Sequence, residues 1–147
     1  MKKLAACLTL SLATVPAPAL AGTYADEMGR CLVKATDPAD RTALVRWLFA
    51  AGAMHPEVVS IVSVSAPQRE ELNRAIARLL ERLLSGSCRT QTQDAIKYEG
   101  RGAFEAAFQV LGQVAGRELF THPAVESSMG EVDRYLDKKK LEGLVVK

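Results

Sequence analysis

Five side chains in this sequence could bind a soft metal ion or act as a nucleophile or base: Cys7, Cys31, Cys88, His55 and His122. None of them occurs in a spacing that such chemistry uses, because the chain contains no C-x-x-C, H-x-x-x-H or H-E-x-x-H motif. The nucleophile motifs G-x-S-x-G and S-x-x-K are absent as well. We therefore expect no catalytic residue, no metal site and no cofactor.

The acidic residues and glycines form no recognisable site either. Glu70 and Glu71 are adjacent, so a helix would point them to different sides, and they do not form the facing carboxylate pair of a glycosidase. The segment Gly100-Arg101-Gly102 is too short to cradle a phosphate group. No nucleic-acid-binding motif is present, so nucleic acid is not an expected partner.

Both histidines precede a proline at the end of an apolar stretch, as His55-Pro56 and His122-Pro123, and a valine follows two residues after each proline. This echo allows two interpretations. In one, the chain contains an internal repeat of two related halves, and the two imidazoles meet as a two-ligand metal site or a pH-sensitive pair. In the other, which we favour, each imidazole caps the helix that its proline begins, since proline is preferred at a first helical position anyway.

The N-terminus has the three parts of a bacterial signal peptide. Lys2 and Lys3 are followed by the uncharged apolar residues 4–15 and then by an Ala-Leu-Ala sequence that ends at Ala21. Small residues at the first and third of these positions are what signal peptidase requires. We predict cleavage after residue 21, which leaves a periplasmic chain of residues 22–147 without a membrane anchor.

A competing interpretation makes Cys7 the lipidated first residue of a lipoprotein. Only residues 4–6 separate it from Lys3, so no apolar segment would precede the cut, and we prefer the later site. Loss of the signal peptide removes Lys2 and Lys3, and the 17 basic residues left of the 19 then match the 17 acidic ones. The mature protein is thus formally neutral and has no charge that favours nucleic acid or an anionic membrane.

Once the signal peptide is removed, Cys31 and Cys88 are the two remaining cysteines. An even number in an exported chain favours a disulfide bond over free thiols. A loop of this length would stabilise the fold by about 4 kcal/mol if the bond acts by restricting the unfolded chain. A redox-active pair is disfavoured because such cysteines usually stand two residues apart at a helix start.

Prolines, glycines and cap residues divide the mature chain into helices. Asp37 and the capping-box pattern at Ser65 start two helices, and Gly100 ends another. Residues 56–64 are rich in valine and isoleucine and also suit a strand, but no partner strand is visible, so a short helix is predicted. The predicted fold is a single all-α domain, a small bundle of about six helices with one disulfide. Besides the short segment 56–64, the predicted helices are residues 24–35, 38–54, 66–86, 90–99, 103–120 and a last helix from 123.

Two of these helices, residues 38–54 and 103–120, are apolar on most sides and are predicted to be central. Trp47 and Phe108, one on each, should then share the core, and truncating either to alanine should cost about 3 to 5 kcal/mol. A G-x-x-x-G pattern that begins at Gly112 is expected to let another helix approach closely.

In size, export, helical content and lone cysteine pair, the chain resembles two classes of periplasmic protein: the immunity proteins against type VI secreted amidases and the small acid-stress chaperones. The resemblance lies in architecture, so no residue role is carried over. With no reaction chemistry and two largely apolar helices, we expect a non-catalytic protein that binds or inhibits another protein through a helical surface. A periplasmic stress chaperone is the alternative, and an enzyme with unrecognised carboxylates is less favoured. The expected partner is another protein, with a homodimer as a further alternative.

The intact mass of the exported protein tests the processing prediction. Cleavage after Ala21 without lipid gives the unmodified mass of residues 22–147, because only small side chains fit the signal peptidase subsites. A mass that corresponds to an acylated chain starting at Cys7 would contradict the anchor-free periplasmic protein and place the chain on a membrane instead.

Overall fold

The computed structural model describes residues 22–142, so the predicted signal peptide, with Cys7, and residues 143–147 lie outside the described part of the chain. Within that part the chain forms helices and turns with no strand, which confirms the predicted all-α class. A π-helical turn (Arg82–Ser87) extends the third helix, and a 3-10 turn (Glu131–Tyr135) follows the sixth. The α-helices of this part are α1 (Thr23–Ala35), α2 (Pro38–Gly52), α3 (Ala66–Glu81), α4 (Arg89–Glu99), α5 (Arg101–Phe120), α6 (Pro123–Gly130) and α7 (Lys138–Leu141).

Local cap residues start and end helices where the sequence predicts them. Asp37 accepts the backbone N–H of Asp40 at 2.8 Å, and the Asp40 carboxylate accepts the N–H of Asp37 at 3.1 Å. Ser65 and Gln68 make the same reciprocal pair at the start of α3. Gly100 ends α4 with a φ of 74°, a conformation that other residues rarely adopt. These boundaries are therefore determined by short-range interactions.

The chain between α2 and α3 does not form the short helix predicted for residues 56–64. It follows a series of hydrogen-bonded turns, in which the N–H groups of Val58 and Val59 are both directed to the carbonyl of His55. Neighbouring β-branched side chains have restricted χ1 angles in a helix, so these residues gain little from helical structure. The predicted helix is wrong for this reason.

α1 and α5 form the centre of the bundle. Met28 and Leu32 of α1 are fully buried, and α5 contributes a buried alanine or leucine at every fourth position. α1 packs against α5 and α4, while α2 packs against α3 and α5. The buried apolar core is continuous and consists of Ala25, Met28, Leu32, Leu44, Ile76, Leu79, Leu83, Cys88, Ala95, Ala103, Ala107 and Leu111.

α5 is central as predicted, but α2 is not. Leu44 and Ala50 are the buried residues of α2, whereas Leu48 and Phe49 leave 53% and 62% of their surface exposed. Apolar side chains extend around most of this helix, yet they meet neighbours on one side only. The prediction was wrong about its position because composition alone does not determine which helix the others surround.

α1 and α5 approach each other closely at Gly29. A β-carbon at this position would lie 3.3 Å from the Val110 side chain and 3.6 Å from the Cα atom of Ala107, so a larger residue has no room. The close approach predicted at Gly112 and Gly116 is wrong, because a β-carbon at either position would have no neighbour within 4 Å. Two glycines in helical register leave room for a second helix, but no helix within residues 22–142 packs there.

Trp47 and Phe108 pack against the same apolar cluster, but at its edge rather than inside it. Both side chains are partly exposed, and the indole N–H of Trp47 donates to Asn73 Oδ1 at 2.9 Å. Phe108 packs against Phe104, with ring centroids 4.6 Å apart. A partly exposed side chain leaves a smaller cavity on truncation, so the expected cost of Trp47→Ala or Phe108→Ala falls to about 2 kcal/mol.

Residues 123–142 form a C-terminal arm that stands apart from the bundle. The arm contacts the rest of the described chain through α5 alone, and none of its residues is fully buried. The predicted last helix begins at Pro123 as expected but ends at Gly130. The exposed apolar side chains of the arm include Met129, Val132, Tyr135 and Leu136.

Two glycine substitutions should have opposite effects on the free energy of unfolding. Gly29→Leu forces α1 away from α5 and should cost about 3 kcal/mol, since overpacking strains both helices. Gly112→Ala meets open space on α5 and should stabilise the protein by about 0.5 to 1 kcal/mol, the difference in helix propensity. Urea unfolding curves measure both changes. A Gly29→Leu variant as stable as the parent would contradict the packing of α1 on α5, and a destabilised Gly112→Ala variant would contradict the open space at Gly112.

Candidate functional site

Cys31 and Cys88 form the predicted disulfide, with an S–S distance of 2.06 Å and Cα atoms 5.8 Å apart. Cys31 lies in the third turn of α1, and Cys88 stands between the π-helical turn and α4. Cys88 is fully buried and Cys31 is partly buried. The bond joins residues 57 positions apart and ties the central helix to the start of α4, which is a structural role.

A groove of about 560 Å³ runs beside the disulfide. Cys31 contributes to its wall, but its sulfur is bonded, and the lining contains no histidine. The groove therefore offers charged and polar contacts without a free thiol or an imidazole. Its other lining residues are Glu27, Arg30, Lys34, Ala35, Ser87 and Gln91.

One of the two histidines, His122, caps a helix as the interpretation favoured from the sequence expects, and His55 does not, because no helix follows it directly. His122 Nδ1 accepts the backbone N–H of Ala124 at the start of α6, at 3.3 Å. His55 Nδ1 accepts the N–H of Glu57 at the same distance, in the turns that follow α2. Both imidazoles thus accept the backbone N–H two residues further on, but this bond caps a helix at His122 and closes a turn at His55.

The imidazoles do not meet. Arg41 at the start of α2 pairs with Glu118 near the end of α5, so these helices run antiparallel, and His122 borders the groove beside Arg41. His55 follows the other end of α2, a helix about 22 Å long at 1.5 Å per residue. The two-ligand site and the pH-sensitive pair are therefore wrong.

Two arginines hold the corner between α1 and α2. Arg41 donates from Nη1 to the Thr36 carbonyl at 2.7 Å and from Nε to the Glu118 carboxylate at 2.8 Å. Arg82 donates to the final carbonyl of α1 at 3.2 Å and pairs with Asp40. Both cations stand where a helix end leaves carbonyls unpaired and its dipole favours positive charge. The hydrogen bond to Glu118 raises the pKa of Arg41 above its ordinary value.

An exposed apolar area covers the outer side of α2 and continues onto the turns that follow. We call it the α2 surface, and its members, each at least 43% exposed, are Leu48, Phe49, Met54, Val59, Ile61 and Val62. Beside it, a groove of about 370 Å³ runs between α2 and α3, with Leu72 and Val64 in its apolar lining. Arg46 stands on its α2 edge and Glu71 on its α3 edge, and neither forms an ion pair within the described residues.

Residues 22–142 offer little support for a metal site, a carboxylate pair or a membrane span. They contain no group of three or more histidine, cysteine, aspartate or glutamate side chains that could hold a metal ion. Glu70 bonds to Arg74 on the exposed side of α3. None of the helices in this range is long and apolar enough to cross a bilayer. Most of the large apolar side chains that the described fold leaves exposed lie on the α2 surface and the C-terminal arm, while Ile96, Tyr98 and Phe120 are exposed elsewhere.

Comparison with known proteins returned no match: no family model, no curated protein and no solved structure is similar to this chain. The likeness to immunity proteins and acid-stress chaperones therefore stays an expectation.

Sequence reasoning missed the residues that act between helices. Arg41 and Glu118 are 77 positions apart, and only the antiparallel course of α2 and α5 brings them together. The sequence predicts a central α2, yet Phe49 on this helix is exposed, because apolar composition does not show which side of a helix is covered. One signal was present: Arg46 stands three residues before Phe49, on the same side of the helix, and a charged residue marks the side that faces water.

Thiol labelling of the unfolded, unreduced protein should find no free sulfhydryl group in the exported chain. Replacing Cys31 and Cys88 together by serine should lower the free energy of unfolding by about 2 to 4 kcal/mol, because the link from α1 to α4 is lost. A reductant should destabilise the parent protein in the same way and leave the double variant unchanged. Labelling of both cysteines would contradict the disulfide.

Proposed function

We propose that this protein is a non-catalytic periplasmic protein that binds and inhibits another protein by holding an apolar segment of it on the α2 surface. The observation that carries the proposal is the exposure of large apolar side chains there, 62% for Phe49 and 79% for Ile61. Contiguous apolar area of this kind usually marks an interaction site. The predicted signal peptide supports a periplasmic location, an oxidising compartment in which a disulfide persists.

The groove between α2 and α3 indicates the chemistry of the bound segment. Its apolar lining and its volume of about 370 Å³ suit side chains from one face of an amphipathic helix. Arg46 on one edge and Glu71 on the other call for an acidic residue and a basic residue on the two flanks of that helix. The proposed occupant is therefore an amphipathic segment of a partner protein with an apolar ridge between opposite charges.

Hydrogen bonds between the walls keep this groove in place. The Trp47 indole donates to Asn73, which joins α2 to α3. Arg69 of α3 donates to the carbonyl of Val64 and holds the preceding turns against the helix. A pre-formed groove loses little conformational entropy on binding, which favours affinity.

A periplasmic stress chaperone is the second candidate, and the C-terminal arm is the observation that favours it. Tyr135 is 85% exposed, and Met129 and Val132 are each 57% exposed, at a distance along the chain from the α2 surface. A holding chaperone would use both apolar surfaces for unfolded clients. Its apolar-dye fluorescence should rise as the protein is acidified, whereas a dedicated inhibitor should bind the same amount of dye across that pH range.

Site-specific photo-crosslinking in the periplasm tests the inhibitor proposal. A photoreactive residue in place of Phe49 should give one discrete adduct with another protein. The same residue in place of Ile96, an α4 side chain with 51% exposure, should give none. Binding of the protein identified in this way should then weaken at least about tenfold in Phe49→Asp, because a charge enters an apolar contact.

Ile96→Asp is the matched control and should retain full affinity for that partner. The melting temperature of Phe49→Asp should stay within about 2 °C of the parent, since an exposed substitution costs little stability. Equal loss of binding in the two variants would refute the α2 surface as the site. An adduct between two copies of the chain would replace the inhibitor proposal with a homodimer.

A further inference from the structure

The start of α1 is capped by a residue from another helix. Glu99, the last residue of α4, accepts the backbone N–H groups of Tyr24 and Ala25, each at 3.0 Å. These are the donors that a serine, aspartate or asparagine at the preceding cap position would normally satisfy. The cap position is Gly22, which has no side chain to offer, and no side-chain bond from it caps α1.

Gly22 leaves free the space that the Glu99 carboxylate occupies. A β-carbon on Gly22 would overlap both carboxylate oxygens, so a larger residue there would push the carboxylate away from the helix. The backbone nitrogen of Gly22 is two bonds from that β-carbon position, which places it within about 5 Å of the nearer oxygen. The carboxylate is thus next to the Gly22 nitrogen as well as to the donors of α1.

Glu99 is unfavourably placed within its own helix. A negative charge in the last turn of α4 is repelled by the helix dipole, so local structure gives no reason for a glutamate here. Compensating positive charge has to come from outside α4. The amino-terminal end of α1 supplies part of it through the two N–H groups.

We propose that the α-amino group of Gly22, released when the peptide bond after Ala21 is cut, forms an ion pair with Glu99 and completes the cap of α1. The proposal rests on the export and cleavage described under the proposed function. In the precursor, Gly22 contributes a neutral amide nitrogen. Hydrolysis by water leaves the new carboxylate on Ala21 and an amino group on Gly22, which takes up a proton at neutral pH and sets a full positive charge beside Glu99.

This charge acts on the helix at the centre of the fold. α1 contributes Met28 and Leu32 to the core and Cys31 to the disulfide, so its first turn is continuous with the best-packed part of the molecule. Cleavage therefore makes the mature protein more stable than the precursor. The precursor, without the ion pair, is easier to unfold during export.

The sign of the pH dependence follows from the charges at this end of the bundle. Asp26 on α1 and Glu99 on α4 stabilise an ammonium on Gly22, while Lys97 on α4 and Arg101 on α5 oppose it. Glu99 is the group next to the Gly22 nitrogen, so the pKa of the amino group should lie above its ordinary value of about 7.7. Because the pKa of the amino group is higher in the folded protein than in the unfolded chain, the ion pair stabilises the fold fully at any pH below the ordinary pKa. This stabilisation is lost as the pH rises through the pKa of the folded state.

The experiment inserts one serine between Ala21 and Gly22 of the full chain and compares the exported proteins. The insertion moves the amino group one residue away from Glu99, and intact mass verifies each N-terminus. At pH 7 the parent should melt about 2 to 5 °C above the inserted chain. The difference should disappear above about pH 10, and it should also disappear when both chains carry Glu99→Gln, which retains a hydrogen-bond acceptor without the charge.

Equal melting temperatures at pH 7 would overturn the proposal, and so would a difference that persists in Glu99→Gln, because the insertion would then act without the carboxylate. If the parent chain starts at Gly22 but melts at the same temperature as the inserted chain, the ion pair is refuted and the proposed export still stands. A parent chain that starts at any other residue overturns the ion pair and the cleavage prediction together.

Discussion

The close approach of α1 and α5 at Gly29 is the contact on which the rest of the structure depends. Two helices pack this tightly only where one of them lacks a side chain, and the β-carbon position of Gly29 is already within 3.3 Å of Val110. α1 is then held along its whole length. Glu99 caps its start, the disulfide holds its third turn, and the two arginines Arg41 and Arg82 bind the carbonyls at its end. Each of these bonds comes from a different part of the chain.

The position of α1 explains why α2 carries exposed apolar residues. With α5 occupied by α1 and α4, α2 packs against α3 and α5 by one side, which buries Leu44 and Ala50. Phe49 borders the groove between α2 and α3 and stays 62% exposed, because no described residue fills that groove. A helix that is apolar on most sides and covered on one must leave apolar surface in water, and such surface costs free energy unless a partner covers it. The proposed binding function therefore follows from how the core is filled.

Features that depend on a few consecutive residues could be predicted from the sequence. The capping boxes at Asp37 and Ser65, the end of α4 at Gly100 and the helical class all follow from local chemistry. The disulfide was predicted from a count of two cysteines in a chain that is expected to be exported. The prediction of a short helix at residues 56–64 was wrong because it rested on the lack of a partner strand. The stiff β-branched side chains of this segment disfavour a helix as well, so the chain forms turns.

Features that depend on which helices meet could not be predicted in the same way. The apolar content of α2 exceeds that of α1, yet α1 is central. Close approach of two helices adds van der Waals contacts, and these stabilise the core in addition to the apolar area that is buried. The glycine pattern at Gly112 suggested a close approach that the structure has at Gly29 instead. Glu99 gave no signal at all, since its partners Tyr24 and Ala25 are more than 70 positions away.

Native-state hydrogen exchange tests the central claim most directly, that α1 and α5 form the stable core while α2 is peripheral. The amides of Met28 and Leu32 should exchange only through global unfolding, at a free energy equal to that of the whole protein. The last turn of α2, including Phe49, and the turns that follow it should exchange at a much lower free energy, because their side chains are exposed on the outer side. Protection of the Phe49 amide as strong as that of Met28 would contradict the account, since α2 would then lie in the core and its surface would not be free to bind a partner.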